Sequence, residues 1–284
     1  MKILFAGVFD PTSTNHAQAA GFEALGHTVV RFSYRGYLRE HRSDLMIDAV
    51  SAAMPDLVVL SKCNDMGYGV LDYCDARRIP TCLWYMDPHG NFNAELIAKI
   101  TRATYVCCSM PSMADCARAH NPHAFYVPEG FDAAVDAPVP EEDVCDNVSF
   151  IGQMRGHRYT YRQAYPFKII TGAFGREHAR AVCRSRINLN FTHGGASDRV
   201  YKVLAAGGFL LTQPWPGMAD DFTSEKDFVT FGEPADMRNK IEHYLAHPDE
   251  AAAIAAHGRQ TVQKFSRQNW AQRILDCRPS QSED

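Results

Sequence analysis

The sequence predicts an α/β protein with two domains, each built on a doubly wound parallel sheet. The chain has 284 residues, which is long for one domain and fits two domains of about 130–150 residues. Apolar runs with strand propensity alternate with helical segments in both halves, as in parallel sheets with crossover helices. An acidic stretch at 129–146, with two prolines and no apolar periodicity, separates the halves. We therefore expect domains at 1–132 and 147–258, joined by a linker at 133–146.

The first half contains six predicted strands separated by five predicted helices. Gly26 ends the first helix, and Pro55 and Pro80 introduce the third and fourth strands. The strands are expected at 3–8, 28–32, 57–60, 81–85, 104–108 and 124–127, and the helices at 15–25, 38–53, 68–77, 95–102 and 112–120. Ligands of such sheets bind beyond the carboxyl ends of the strands. The loops that carry Asp10, Lys62 and Asp87 are therefore expected at one edge.

The second half repeats the alternation and then ends in helices. Gly207 and Gly208 stop one helix before a short apolar strand. Strands are expected at 147–151, 167–171, 187–191, 209–212 and 227–231, and helices at 177–186, 198–206, 236–246, 249–258 and 259–275. The polar residues after Cys277 are expected to form a tail.

The most specific local pattern is a glycine-containing loop that leads into the helix at 198–206. His193, Gly194 and Gly195 precede the helix, and Ser197 is a good N-cap residue. Backbone N–H groups of such a loop and of the helix N-terminus converge on one point, where they can hold a phosphate or a diphosphate. An ordinary helix start in an α/β domain is the alternative interpretation.

Several basic residues flank this loop. Arg199 and Lys202 are three positions apart, which places both cations on one helix face. Arg155 follows Gly152, which ends the strand at 147–151, and is expected to point toward the same place. Solvated loop charges are the alternative interpretation for these residues.

The composition indicates a soluble cytoplasmic protein. Net charge is −4 and 46% of the residues are hydrophobic, so the chain as a whole has no attraction for nucleic acid or anionic membranes. The nine cysteines are odd in number and form no CxxC pair, which favours a reducing compartment. No run approaches about 20 apolar residues, so neither a membrane span nor a signal peptide is expected.

Taken in order, the motifs resemble those of GT-B-fold nucleotide-sugar glycosyltransferases of the group-one type, and most closely the spore-maturation-protein-like branch. The resemblance is carried by INLNF at 187–191, SDRVYKVLAAGGFLLT at 197–212, DFVTF at 227–231 and IEHYLAHPDEAAAIAAHG at 241–258. WYMDP at 84–88, VPEGFD at 127–132 and VSFIG at 148–152 add weaker support. The resemblance covers most of the chain and is strongest over the last hundred residues.

The resemblance implies two Rossmann-like domains that face each other across a cleft, with the helix at 259–276 crossing back to the first domain. The donor, expected to be a UDP-sugar, binds mainly to the second domain and the acceptor mainly to the first. The family pattern has Arg, an aromatic or apolar pair and then a Glu that contacts the donor ribose. Here Lys202 stands in place of that Glu. A lysine accepts no hydrogen bond from a sugar hydroxyl but can bind the diphosphate.

Glycosyl transfer requires stabilisation of the leaving diphosphate and, when the reaction inverts, a base for the attacking hydroxyl. In GT-B glycosyltransferases, cationic side chains and a helix dipole commonly stabilise the leaving diphosphate, so no tightly bound cofactor is expected. Mg²⁺ held by the donor phosphates is compatible with this chemistry but not required. Candidates for the base are Asp87, Asp10 and His16; a turn-forming Asp and an exposed His are the alternative interpretations. None of the twelve histidines forms an HxxxH or HxH pair that is backed by nearby ligands, so no metal site is predicted.

Two clusters interleave basic and aromatic residues, at 34–42 and at 155–168. Arg35, Tyr37, Arg158 and Tyr161 are therefore candidates for the acceptor side. Loop charges combined with aromatic packing are the alternative interpretation of both clusters. If both clusters flank the cleft, a hydroxymethylated base in DNA is one candidate for the acceptor hydroxyl, as in phage DNA glucosylation. Otherwise the acceptor is a small molecule or a glycan. A non-catalytic nucleotide-sugar-binding protein is the alternative that Lys202 suggests.

Overall fold

A computed structural model describes residues 1–87, 92–140, 143–192 and 194–279. The chain divides into two compact units, which are Met1–Pro128 with Arg267–Asp284 (unit 1) and Glu129–Ser266 (unit 2). The acidic segment predicted as a linker belongs to unit 2, because Phe131 and Val139 are buried in the core of that unit. The chain returns to unit 1 at Arg267, eight residues later than the predicted bound at 259.

Unit 1 is a six-stranded parallel sheet with helices on both faces. Its strands are β1 (Lys2–Gly7), β2 (Thr28–Ser33), β3 (Leu57–Ser61), β4 (Thr81–Tyr85), β5 (Tyr105–Cys108) and β6 (Ala124–Tyr126). Its helices are α1 (Asn15–Ala24), α2 (Arg42–Ala53), α3 (Gly69–Asp75), α4 (Ala94–Arg102), α5 (Pro111–Arg118) and the last helix of the chain, α12 (Arg267–Asp276). The strand order is β2-β1-β3-β4-β5-β6.

Alternate residues of these strands supply the two faces of the unit 1 sheet. One face is covered by α1 and α12, where Trp270 packs edge-on against Trp84 (ring centroids 5.3 Å apart) and Phe22 (5.5 Å). Gly21 lets the two helices approach closely, since a Cβ there would clash with the Arg267 carbonyl group. The terminal helix is thus part of the unit 1 core.

Unit 2 is a five-stranded parallel sheet. Its strands are β7 (Asp146–Ile151), β8 (Lys168–Ile170), β9 (Ser185–Asn190), β10 (Leu210–Thr212) and β11 (Val229–Thr230). Its helices are α6 (Arg158–Ala164), α7 (Arg176–Cys183), α8 (Asp198–Ala205), α9 (Met218–Asp221), α10 (Pro234–Ala246) and α11 (Pro248–Val262). The strand order β11-β10-β9-β7-β8 places β9 at the centre. The predicted α/β class with two parallel sheets is therefore confirmed.

Three helical features of unit 2 differ from the prediction. Helices α6 and α9 were not predicted, because α6 lies within a basic and aromatic stretch that resembles a loop and α9 has only four residues. Helix α11 continues through Gly258 to Val262 and is followed by a 3-10 turn at Gln263–Phe265. Gly258 is not a helix stop but a packing position, since a Cβ there would clash with the Asp227 carbonyl group. In the described part of the chain, no helix has the length and apolar character needed to cross a membrane.

Candidate functional site

The carboxyl ends of β7, β9 and β10 lie side by side in unit 2, and a buried asparagine connects them. Asn190, the last residue of β9, is fully buried. Its Nδ2 donates to Thr212 Oγ1 at the end of β10 (2.9 Å), and its Oδ1 accepts from Arg199 (2.8 Å) and from Ser197 Oγ (3.2 Å). Asn190 was not among the predicted site residues. Its signal in the sequence is an amide near the end of the predicted strand at 187–191, just before the glycine-containing loop.

Arg199 is fixed by oxygen atoms that carry no charge. Its Nε donates to the Ile151 carbonyl (2.6 Å) and its Nη1 to Asn190, while the guanidinium lies over the Phe150 ring (4.8 Å to the centroid). Burial lowers the pKa of Arg199 from 12.5 to about 10, opposed by the Asp198 carboxylate and assisted by the positive charge of Arg158. The side chain is therefore still a cation at neutral pH, and these hydrogen bonds do not neutralise its charge.

Two glycines follow the ends of β7 and β9, and Gly152 lets the backbone approach Arg199 closely. Gly152, after β7, has φ +151°, and a Cβ there would lie 2.8 Å from Arg199 Nη2. Gly194, after β9, has φ +86° and is exposed, while Gly195 is buried. The predicted donor residue His193 lies outside the described residues. A side chain at Gly152 would displace Arg199, so this glycine is required by packing as well as by its backbone conformation.

Ser197 occupies the N-cap position of α8 as the sequence predicts, but its hydroxyl group is used differently. It donates to Asn190 Oδ1 and makes no cap bond to the helix backbone within the described residues. In the same first turn of α8, the Val200 N–H donates to the Ser197 carbonyl (3.0 Å). An anion at this position would also gain from the helix dipole.

A second arginine lies beside the first. Arg158, the first residue of α6, is buried, donates from Nη1 to the Gln153 carbonyl (2.6 Å) and places its guanidinium 5.1 Å from the centroid of the same Phe150 ring. Burial lowers its pKa, and the nearby positive charge of Arg155 lowers it further. The prediction placed Arg158 on the acceptor side. The structure instead holds it within unit 2, beside Arg199.

Tyr161 was likewise predicted on the acceptor side and is buried in the core of unit 2. Its hydroxyl donates to the Gly232 carbonyl (2.6 Å) and accepts from Gln213 Nε2 (2.8 Å), and burial raises its pKa. Gln213 Oε1 in turn accepts from the Thr192 backbone N–H (3.2 Å) and contacts His157 Nε2 (3.2 Å). Through the Thr192 N–H, this network anchors the start of the loop after β9. Sequence reasoning missed α6, so these side chains were expected on an exposed loop.

Arg155 and Lys202 differ in how strongly the structure holds them. Arg155 is exposed and hydrogen-bonded to Gln153 Oε1. Lys202 Nζ forms an ion pair with Asp198 Oδ2 (2.6 Å), one turn earlier on α8. His178 of α7 is close enough to this ion pair to sense its charges, and its Nδ1 is buried without a hydrogen-bond partner among the described residues. Burial lowers the pKa of His178 from 6.5 to about 4, and the Lys202 charge contributes to the shift.

In unit 1, the candidate base residues follow the carboxyl ends of β1 and β4, which flank β3 in the sheet. Asp10 is exposed, and its carbonyl accepts from the Ser13 N–H (2.8 Å) in a turn. His16 is exposed in the first turn of α1, with Nε2 3.1 Å from the Phe9 carbonyl and its ring edge-on to Phe9. Asn15 ties this loop to the end of β3, since its Nδ2 donates to Ser61 Oγ (2.8 Å).

Asp87 forms an ion pair with Lys62, and both side chains are partly buried. Lys62 begins a strained loop after β3, in which Lys62, Cys63 and Asp65 have φ values of 59°, 51° and 60°. Left-handed conformations are costly for residues other than glycine and are concentrated at functional sites. The buried Lys99 of α4 holds this loop by donating to the Cys63 carbonyl (2.6 Å).

A polar cavity of about 260 Å³ lies beside this loop at the β4 end of the unit 1 sheet. Its charged groups are Glu95 and Lys99, which form an ion pair at 2.7 Å. The lining consists of Asn64, Tyr85, Asn93, Glu95, Leu96 and Lys99. Amide, phenol and carboxylate groups of this kind suit a ligand that carries several hydroxyl groups.

The first basic and aromatic cluster is exposed at the end of β2. Arg35 is exposed, and Tyr37, 44% exposed, stacks on the Phe32 ring (5.5 Å). Arg39 in the same cluster forms an ion pair with Asp65 (3.0 Å). No group of three His, Cys, Asp or Glu side chains that could hold a metal ion occurs in the part of the chain that the structure describes.

Known proteins resemble this chain in one segment by sequence and over nearly its whole length by structure. Residues 143–276 match the family model Glyco_trans_1_2, described as glycosyl transferase-like. Anabaena HepE in complex with UDP and glucose superposes with a TM-score of 0.72 at 13% identity, over 97% of this chain and 98% of that one. Sucrose-phosphate synthase from Thermosynechococcus elongatus gives 0.67 at 13% identity, over 97% and 96%. AviGT4, a glycosyltransferase involved in avilamycin A biosynthesis, gives 0.64 at 13% identity, over 97% and 96%.

These matches show the fold of the chain and a sequence likeness over its second half. The chain has the GT-B fold of nucleotide-sugar glycosyltransferases, and its second half is glycosyl transferase-like in sequence, as the motifs predicted. A search of curated proteins by sequence returns no significant match. Assignment to the spore-maturation-protein-like branch stays a prediction.

Proposed function

We propose that the protein is a glycosyltransferase that moves a sugar from a nucleoside diphosphate sugar to a hydroxyl acceptor. The observation that carries the proposal is the pair of guanidinium groups of Arg199 and Arg158 over the Phe150 ring. Two guanidinium groups this close together concentrate positive charge near the ends of β7 and β9, and the hydrogen bonds of Arg199 to Ile151 and Asn190 do not neutralise its charge. A diphosphate there would be stabilised by this positive charge, most strongly as the glycosidic bond breaks and the leaving group gains negative charge.

The donor-binding residues proposed for this anion lie in unit 2. Backbone N–H groups near Gly194 and Gly195 and at the start of α8 would bind phosphate oxygens, and Arg199 would stabilise the leaving group. Arg155 is exposed and close to Arg158 in sequence, and its flexible side chain would add a further contact to the phosphates. Because the guanidinium groups supply the positive charge, the reaction would proceed without a metal ion. Mg²⁺ bound to the donor phosphates would then change the rate only modestly.

UDP-glucose, or another UDP-sugar, is the donor that we propose. HepE, which has the same fold, was crystallised with UDP and with UDP-glucose. The nine cysteines of this chain are all free thiols, which supports a cytoplasmic protein with access to such donors.

On the acceptor side we propose Asp87 as the base that accepts the proton of the attacking hydroxyl. The ion pair with Lys62 orients the Asp87 carboxylate at the end of β4, and the polar cavity around Glu95 and Lys99 adjoins the same loop. His16 is the second candidate. With Nε2 donating to the Phe9 carbonyl, the neutral tautomer would leave the Nδ1 lone pair for a proton. Asp10, in a turn and exposed, is the weakest of the three.

A thermal-shift panel tests the donor site directly. UDP-glucose, UDP-N-acetylglucosamine, GDP-mannose, ADP-glucose and the parent diphosphates are each added with Mg²⁺ or with EDTA. A ligand that binds only the folded state stabilises it by about 2.7 kcal/mol at a concentration of 100 Kd. We expect one UDP-sugar to raise the melting temperature with or without the metal. The absence of a shift with every nucleotide would contradict the proposal.

Turnover separates the enzyme from a non-catalytic binding protein. An enzyme should release UDP slowly from the bound donor even when water is the only acceptor. A donor that raises the melting temperature but yields no UDP over hours, with or without a panel of sugar acceptors, would favour the binding protein.

A further inference from the structure

Three cysteine side chains converge in unit 1 where α12 ends on the sheet. Cys82 of β4 and Cys107 of β5 are fully buried on the face that α12 covers, and Cys277 directly follows the last residue of α12. Cys277 packs against the apolar cluster that contains Cys82 and Cys107, and both Cys82 and Cys277 contribute to a raised pKa of the Cys107 thiol. None of these residues belongs to the donor or acceptor site described above.

Only one of the three thiols reaches the surface. Cys277 is half-buried, whereas Cys82 and Cys107 are inaccessible to solvent. The hydrogen bond from Cys107 lowers the pKa of Cys277 below its ordinary value of 9.0, against the opposing effect of burial. Burial raises the pKa of Cys107 well above the same value. A partly exposed thiol of lowered pKa beside a buried thiol is the arrangement of an attacking and a resolving cysteine.

We propose that Cys277 and Cys107 form an oxidation-sensitive pair, which hydrogen peroxide joins in a disulfide. The Cys277 thiolate attacks one peroxide oxygen, the O–O bond breaks, and after protonation Cys277 is a sulfenic acid and one water has left. The Cys107 sulfur then attacks the Cys277 sulfur, the S–O bond breaks, and the second water leaves with the Cys107 proton. The two thiols lose two electrons in total, and the peroxide is reduced to two molecules of water.

The bond would link β5 of unit 1 to the end of the terminal helix. Unit 2 lies between residues 129 and 266, so the closed covalent loop from 107 to 277 contains the whole donor unit. Docking of α12 then no longer depends only on packing, such as that of Trp270 against Trp84 and Phe22. A cross-link that closes so long a loop restricts the unfolded chain most strongly, so oxidation is expected to raise the melting temperature.

Mass mapping of the full-length protein tests the pair. The protein is treated with a small excess of hydrogen peroxide, its free thiols are blocked with iodoacetamide, and it is digested without reductant. We expect a linked species that joins the peptide containing Cys107 to the peptide containing Cys277, and its loss on treatment with dithiothreitol. The same reductant should reverse the rise in melting temperature.

Matched variants identify the sulfurs. Cys107→Ala and Cys277→Ala should each abolish the linked species, whereas Cys108→Ala should retain it, because Cys108 lies on the opposite face of β5. Cys145, which is exposed, reports ordinary surface oxidation in the same digest. Sulfinic or sulfonic acid at Cys277 without a cross-link, a link from Cys107 to Cys82, or a link that survives Cys107→Ala would each overturn the proposal.

Discussion

The ammonium group of Lys202 lies 2.6 Å from a carboxylate oxygen of Asp198, one turn earlier on α8. The resemblance to GT-B enzymes has a glutamate at position 202, so this helix carries its carboxylate one turn closer to the N-terminus. A carboxylate in the first turn is favoured by the helix dipole, and the lysine compensates it within the helix. Asp198 therefore partly neutralises the charge of Lys202, which makes Arg199 the stronger candidate for binding the diphosphate.

Lys202→Glu is expected to weaken UDP-glucose binding at least tenfold. The substitution would bring two carboxylates together on one turn of α8, close to the proposed site of an anion. Calorimetry against UDP-glucose measures the change, and Lys202→Gln should have a smaller effect. Adding Asp198→Asn to Lys202→Glu should recover part of the loss. Tighter binding by Lys202→Glu alone would show that the family glutamate fits this site and that the ion pair is incidental.

Arg199→Ala is expected to reduce UDP-glucose affinity at least tenfold, about 1.4 kcal/mol, because a charge-assisted phosphate contact is lost. Arg199→Lys should recover little, since it cannot bond both Ile151 and Asn190 in the same geometry. Arg186→Ala is the matched control, on the exposed side of the same strand β9. Equal affinity in Arg199→Ala and Arg186→Ala would remove Arg199 from the donor site.

Asp87→Asn is expected to lower kcat at least a hundredfold and to leave donor affinity within a factor of about three, as the loss of a general base would. His16→Gln should change kcat far less. Steady-state kinetics with a saturating acceptor and calorimetry with UDP-glucose separate the two effects. The reverse order of the two variants would assign the base to His16, and equal losses in kcat and affinity would assign Asp87 to binding.

Acid is expected to destabilise the protein through His178. Its pKa is about 4 when folded and 6.5 when unfolded, so the unfolded chain binds the additional proton between these values. Protonation of His178 in the unfolded chain therefore leaves the unfolding free energy unchanged above pH 6.5. As the pH falls from 6.5 toward 4, it lowers the unfolding free energy by about 3 kcal/mol at most. Denaturant unfolding at pH 7.5 and 4.5 should show a smaller loss in His178→Leu than in the wild type. His123→Leu, at an exposed position, should match the wild type.

Duplex DNA is expected to bind weakly and without dependence on the basic residues at 34–42. Two residues of the second cluster, Arg158 and Tyr161, are buried, and Arg39 of the first is paired with Asp65. Net charge is −4, which opposes association with a polyanion. Fluorescence anisotropy with hydroxymethylated duplex over a range of salt concentrations measures this. Salt-dependent binding that is weaker in the Arg35→Ala variant would favour DNA as the acceptor.

Much of the fold could be predicted because the sequence patterns that mark its strands and helices are local. The strand Thr81–Tyr85 was predicted at its observed bounds, and α8 and β10 were predicted from one helix pattern, a glycine stop and an apolar run. Alternation of such segments is sufficient to indicate parallel sheets, since short connections exclude most other topologies. The glycine loop and Arg199 were found by the same kind of local pattern.

Only the tertiary structure decided which side chains meet, because their partners are distant in sequence. Arg158 is 41 positions from Arg199, and both lie over Phe150 only because β7 and β9 are neighbours in the sheet. Gly258 looks like a helix stop, yet the approach of the Asp227 carbonyl makes it a packing position within a continuous helix. The sequence by itself determined the elements and the chemistry available to them. Packing decided which cations are buried, which are paired and which are exposed, since burial and pairing depend on the neighbours that the fold supplies.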